Sequence, residues 1–171
     1  MIKDAKLSPC GKYRYQLTRQ WSIQTSSMNL SHVVFVMLNP SIADDKIDDQ
    51  TIRKCIGFST TWGYAMFRAV NVVAYRATKP KDIPKDGSAE GLDNVYWIEE
   101  TIRQGSIIVA AWGNKIKRLS RHYEIAESII HRVSTNNNIP VMCLGLNQDG
   151  SPKHPLMPSY NTQLQTFPTY R

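Results

Sequence analysis

Residues Val33–Cys55 read VVFVMLNPSIADDKIDDQTIRKC, and the three parts of this stretch decide the architecture. The first, Val33–Leu38, is an unbroken apolar run of strand length. Strands buried on both faces, as in parallel sheets, lack the polar alternation of half-exposed ones, so the run reads as a central parallel strand. The second part turns polar at Asn39-Pro40-Ser41 and carries aspartates at 44, 45, 48 and 49. The third returns to apolar residues at helical spacing, with Ile52, Cys55, Ile56 and Phe58 or Ser59 on one face. Asp48 or Asp49 is placed to cap that helix, and Gly63 to stop it. Strand, polar loop and helix in this order form one α/β unit.

The same alternation continues outward. Before it, Lys12–Gln24 (KYRYQLTRQWSIQ) alternates in places after the turn signal SPCG and reads as an edge strand. After it come a strand in Met66–Ala77 (MFRAVNVVAYRA) and an exposed Pro- and Lys-rich loop at Lys79–Gly87. A helix in Gly91–Gln104 follows, with Leu92, Val95, Tyr96, Ile98, Glu99 and Ile102 near the expected period. Ser106–Asn114 (SIIVAAWGN) is a third buried strand, and Lys115–Asn137 a long helix with room for an internal break. Ile139–Gly145 (IPVMCLG) is a fourth strand, and Leu146–Phe167 a polar tail. This order predicts a single α/β domain over 1–171. It is a three-layer sandwich with a central, mostly parallel four-stranded sheet and an N-terminal edge strand.

Lys and Arg number 21 against 14 Asp and Glu, a formal charge of +7. That surplus favours a polyanionic partner, nucleic acid or a nucleotide, with DNA preferred over RNA. The three cysteines, Cys10, Cys55 and Cys143, form no CxxC pair, which argues against a zinc knuckle or thioredoxin-like site and fits a reducing compartment. The N-terminus lacks an apolar signal region and no run is long enough to span a bilayer, so a cytoplasmic protein is expected. No membrane association and no obligate protein partner are implied.

In sheets of this kind ligands bind at the carboxyl ends of the parallel strands. That rule selects Asn39-Pro40-Ser41, Asn71 with Tyr75-Arg76, Trp112-Gly113-Asn114, and the stretch through Lys153-His154-Pro155. GxGxxG, GxxxxGK[ST] and GxSxG are all absent, so those phosphate-binding and hydrolase mechanisms have no sequence support.

The combination MLNPSIADDKIDDQTIRKCIGF, WGY, NVVAYRAT, AWGN and HPLM resembles the DUF1643 family across almost the whole chain. A more distant resemblance is to the uracil-DNA glycosylase superfamily. MLNP is similar to its first loop, AVNVV to the strand ending in a base-reading Asn, AAWGN to its LWG-like segment and KHPLM to its His-Pro loop. Met37 stands where that superfamily usually has Gly, and no Ser follows Pro155 directly. These departures bear on uracil excision more than on the fold.

The resemblance implies that Asn39 orients the attacking water, that Asn71 reads a base edge and that His154 stabilises the departing base. Glycosidic cleavage passes through a cationic sugar and needs a nearby anion, a placed water and a donor for the leaving group. Asp44, Asp45, Asp48 and Asp49 are the candidate carboxylates, with Asp44, close behind Asn39, the favoured one. Tyr64 and Trp112 are candidate stacking partners for an extruded base. Ser41, Arg76, Lys115 and Lys117 are candidate phosphate contacts. The expected function is therefore a nucleobase-recognising enzyme, a DNA-glycosylase-like hydrolase concerned with DNA modification or repair. The alternatives are a non-catalytic module that binds nucleic acid or a modified base, and a metal-assisted nucleotide or phosphate enzyme using Asp44–Asp49. No cofactor is expected, with Mg²⁺ entering only if those aspartates form a metal site.

Overall fold

The computed structural model describes residues 1–21 and 31–168. The strands are β1 (Ile2–Leu7), β2 (Arg14–Gln20), β3 (Val33–Met37), β4 (Met66–Asn71), β5 (Ile107–Ala110), β6 (Val141–Cys143) and β7 (Gln165–Thr166). The helices are α1 (Gln50–Thr61), α2 (Asn94–Gln104) and α3 (Ser120–Asn137). The strands form one mixed sheet in the order β1-β2-β4-β3-β5-β6-β7. The inner four, β4-β3-β5-β6, are parallel; β1, β2 and β7 run antiparallel to their neighbours.

The alternation of side chains along β3 divides the core. Val33, Phe35 and Met37 meet Ile52, Cys55 and Phe58 of α1 on one face. Val34 and Val36 meet Ile98 and Ile102 of α2 and Tyr123, Ile130 and Val133 of α3 on the other. A central strand that must satisfy two apolar layers leaves no position for a polar side chain, which is why Val33–Met37 lacks alternation.

Three expectations need correction. The sheet has seven strands among the described residues, not four plus an edge. The Lys12–Gln24 segment is not at the edge: its strand β2 lies between β1 and β4, and residues 22–24 lie outside the described residues. Its Arg14, Gln16, Thr18 and Arg19 are all buried, because β2 is covered where an edge strand would be wet. The face of α2 is also rotated from the predicted one. Leu92 precedes the helix and is fully exposed, and Val95 and Tyr96 face solvent, while Asn94, Ile98, Thr101 and Ile102 are buried. Polar contacts fix this rotation. Asn94 Nδ2 donates to the carbonyls of Asn71 and Val72, and Thr101 Oγ1 accepts from Gln16 Nε2 at 2.6 Å. The break expected in the long helix falls at its start, where a 3-10 turn at Lys117–Leu119 precedes α3. Among the described residues no helix is long and apolar enough to cross a membrane.

The order of connections locates the crevice. From β3 the chain passes through α1 to β4 on one side, whereas from β5 it passes through α3 to β6 on the other. Neighbouring strands β3 and β5 therefore send their chains apart and leave a gap beyond their carboxyl ends, the topological switch point where α/β sheets bind ligands. The residues at that gap are Leu38-Asn39 and Ala111-Trp112.

Candidate functional site

A crevice of about 840 Å³ opens at this switch point. Ligand pockets of drug-sized molecules fall in this range. Met37, Leu38, Asn39, Ser41 and Ile42 line it after β3, with Trp112, Asn114 and Ile116 after β5 and His154 and Leu156 from the late loop. The start of α1, Asp48 through Arg53, and the residues Ala77, Thr78 and Pro80 complete the rim. Arg14 of β2 also lines it. Because β2 runs antiparallel to β4, its first residue lies at the carboxyl end of the parallel strands, where Arg14 N bonds Ala74 O.

Asn39 is oriented by its own loop. Its Nδ2 donates to Pro40 O at 3.0 Å and Ala77 O at 2.6 Å. Two carbonyls at one end of the amide assign that end as nitrogen, leaving Oδ1 as the acceptor available to the crevice. His154 is fixed in the complementary sense. Leu156 N donates to its Nδ1 at 3.3 Å, so the neutral ring carries its proton on Nε2, a donor. Burial pushes the His154 pKa below the ordinary histidine value, with the Asp49 carboxylate opposing. The ring is thus neutral at neutral pH. It sits against Gly113, which holds φ +77, a backbone conformation that favours glycine, and an added Cβ there would just touch His154 Cβ at 3.4 Å. Gly113 N also donates to Pro152 O, tying the two loops together.

The aspartates separate by task. Asp44 does not line the crevice; its Oδ1 accepts from the backbone of Lys46 and Ile47, and these bonds lower its pKa. Placing it beside Asn39 as the working carboxylate is therefore corrected. Asp48 pairs with Arg19 at 2.6 Å and Lys3 at 2.7 Å, and Arg19, fully buried, also donates to the Asp44 and Ile47 carbonyls. Asp49 caps α1 by accepting from Ile52 N, as its position in the sequence suggests. It is also the carboxylate whose charge acts on both His154 and Arg14. Among the described residues no three of His, Cys, Asp and Glu gather as metal ligands.

Of the other expected residues, Trp112 and Ser41 reach the crevice. Trp112 is 2% exposed and packs edge-on against Phe167, so only a margin of its ring meets the cavity. Asn71 does not line it: at 1% exposure its Oδ1 accepts from Arg14 Nη2 at 3.3 Å. It positions an arginine where a base edge was expected. Tyr64 precedes β4 and lies at the amino end of the parallel strands, opposite the crevice, so stacking there is excluded by topology. Arg76 borders a shallower notch of about 280 Å³ with Gly11, Lys12 and Ser41, its guanidinium held by the Gly11, Ser41 and Ile42 carbonyls. Lys115 turns away to Glu127 at 2.6 Å, and Lys117 is exposed in the 3-10 turn outside the crevice.

Arg14 is the residue that sequence reasoning missed. It is 2% exposed, and its Nη1 donates to Ala43 O at 2.8 Å. Burial lowers its pKa to about 10, with Asp49 opposing, so it stays charged at neutral pH. No curated protein matches the chain, and no solved structure does. The family described as a protein of unknown function, DUF1643, matches residues 14–156, which begin at this arginine and end two residues beyond His154. With most of its length so matched, the chain belongs to the DUF1643 family.

Proposed function

We propose that the crevice binds a nucleobase and hydrolyses its N-glycosidic bond, in the manner of a uracil-DNA-glycosylase-like hydrolase. What supports this is one pairing. Asn39 and His154 enter the same crevice with an acceptor, Oδ1, and a donor, Nε2–H, each fixed by backbone hydrogen bonds on the opposite side of its group. Preorganised groups of this kind need no reorientation as charge develops. Asn39 Oδ1 holds the water that attacks the anomeric carbon. The C–N bond breaks with its electron pair leaving on the base, and His154 Nε2–H stabilises that developing negative charge. Asp49 is the carboxylate available to the cationic sugar and to the water proton. The margin of Trp112 and the side chains of Leu38, Ile52 and Ile116 form apolar walls for a planar ring.

Base release from oligonucleotides carrying uracil and other modified pyrimidines tests this, in DNA and RNA, with DNA expected to be preferred. His154→Ala and Asn39→Ala are expected to lower release by about 10²-fold or more each. No release from any substrate by the folded protein would refute it. The engagement of Asp44 in its own turn favours a second reading, a module that recognises a modified base without cleaving it. Binding without turnover, in the wild type and both variants, would support that module.

A further inference from the structure

We propose that the crevice contains an oxyanion subsite, formed by the Arg14 guanidinium and the Gln50 and Thr51 backbone N–H groups, that takes the phosphate of a nucleotide. The nucleotide identity rests on the nucleobase reading above; the oxyanion subsite does not. Arg14 is almost completely buried, and its Nε has no hydrogen-bond partner. Its two remaining nitrogens meet a carbonyl and an amide, both neutral. Among the described residues no carboxylate lies within ion-pair distance of it, whereas Arg19, equally buried and five residues away, has Asp48. A buried cation is strongly disfavoured unless an anion accompanies it. The two arginines share one strand and one burial, but Asp49 acts on Arg14 only at a distance, so Arg14 lacks the direct ion pair that Arg19 has and an anion from outside can supply it.

The start of α1 supplies the second half. This helix of 12 residues presents its first turn to the same crevice through Gln50, Thr51 and Ile52. Asp49 caps Ile52 N alone, and no described acceptor meets the N–H groups of Gln50 or Thr51. Unsatisfied amides and the positive end of the helix dipole favour phosphate. Asp49 stands beside them and opposes an anion, but Arg53, on the same rim with its guanidinium on Asp48 O, adds a further positive charge. The ligand that fits is a planar base carrying a phosphate.

Titration of the intact protein with inorganic phosphate, at constant ionic strength against chloride, tests the subsite without any base present. Phosphate is expected to raise the unfolding temperature and to shift the backbone amide resonances of Gln50 and Thr51 and the Arg14 Nε–H. Arg14→Gln is expected to weaken phosphate binding at least tenfold, while Lys85→Gln, on an exposed loop outside the crevice, leaves it unchanged. Acetate in a parallel titration separates a carboxylate from a phosphate site: equal affinity for both would overturn the phosphate assignment. Equal phosphate effects on wild type and Arg14→Gln, or shifts confined to surface lysines, would overturn the subsite. If Arg14→Gln fails to fold, the wild-type resonances decide: unmoved Gln50, Thr51 and Arg14 signals refute it. Because inorganic phosphate carries no base, this result is independent of base release. Tighter binding of deoxyuridine monophosphate than of deoxyuridine then joins the two.

Discussion

Asp48→Asn removes the carboxylate partner of a fully buried arginine. Arg19 is fully buried, and the Asp48 side chain is 15% exposed. Their 2.6 Å contact supplies the only carboxylate paired with Arg19 among the described residues. Removing one partner of a buried pair leaves the other charge uncompensated, which typically costs about 3–5 kcal/mol. Three features moderate this. The neutral amide can still accept one hydrogen bond, Asp48 retains some solvent, and Arg19 keeps the Thr18, Asp44 and Ile47 carbonyls. The expected loss is about 3 kcal/mol, a fall in unfolding temperature of roughly 6–12 °C for a chain of this size. Urea denaturation of wild type and variant measures it. Burial raises the Asp48 pKa, but bonds from Lys3 and Arg19 outweigh that and leave it below the usual aspartate value. A depressed carboxyl pKa stabilises the fold above the unfolded value, about 3.9, and that contribution fades as pH falls through the folded value. Wild-type stability should therefore decline below about pH 4, and more steeply than in Asp48→Asn. A loss under 1 kcal/mol, with an unchanged acid slope, would refute the assignment of Asp48 as the counter-charge of Arg19.

Asn39→Asp places carboxylate oxygen against the Pro40 and Ala77 carbonyls where an amide now donates, so it should destabilise the fold by about 1–3 kcal/mol and give no gain in base release. Equal stability by urea titration would contradict the assigned amide orientation. Gly57→Ala would normally stabilise a helix by about 1 kcal/mol, but a Cβ there meets the far end of the exposed Tyr160 ring, which must swing off Phe58, so the single variant should gain less than the same change made together with Tyr160→Ala. Thiol titration of the native protein should modify Cys10, which is exposed and whose pKa is lowered by the hydrogen bond to Ser8. Cys55 and Cys143, buried with raised pKa values, should react only on unfolding.

What the sequence made legible is what burial on two faces imposes. Val33–Leu38 could be read as the central strand because no polar residue fits between the α1 layer and the α2–α3 layer. Asn39 and Trp112 could be read because they follow or end apolar runs where the strands end, and His154 because its His-Pro loop resembles that of the uracil-DNA glycosylase superfamily. Arg14 could not. An arginine in an alternating strand looks solvated, and only the insertion of β2 between β1 and β4 buries it. The polar strand β1 and the two-residue β7 carry too little apolar pattern to announce themselves. Four aspartates in six positions are equivalent on paper. Arg19, which draws Asp48 inward and holds the Asp44 and Ile47 carbonyls, makes them different. Asn71 was conspicuous for a sound reason, a buried amide needing a partner, but the partner is Arg14.

The place of β2 also bears on the order in which the molecule assembles. β1 precedes β2, but the other partner, β4, lies about fifty residues downstream, and Asn71 and the 43–48 loop, which Arg14 and Arg19 bind, also lie downstream. Contacts so far apart in the chain close slowly, because loop entropy is lost before they form. The parallel pair β3 and β5 spans a still longer separation, about seventy residues, whereas each helix closes only local contacts. We therefore expect a refolding chain to regain helical signal before it regains ligand binding. The delay would be set by the long-range pairings of β2 with β4 and of β3 with β5, and a stopped-flow comparison of the two signals would measure it.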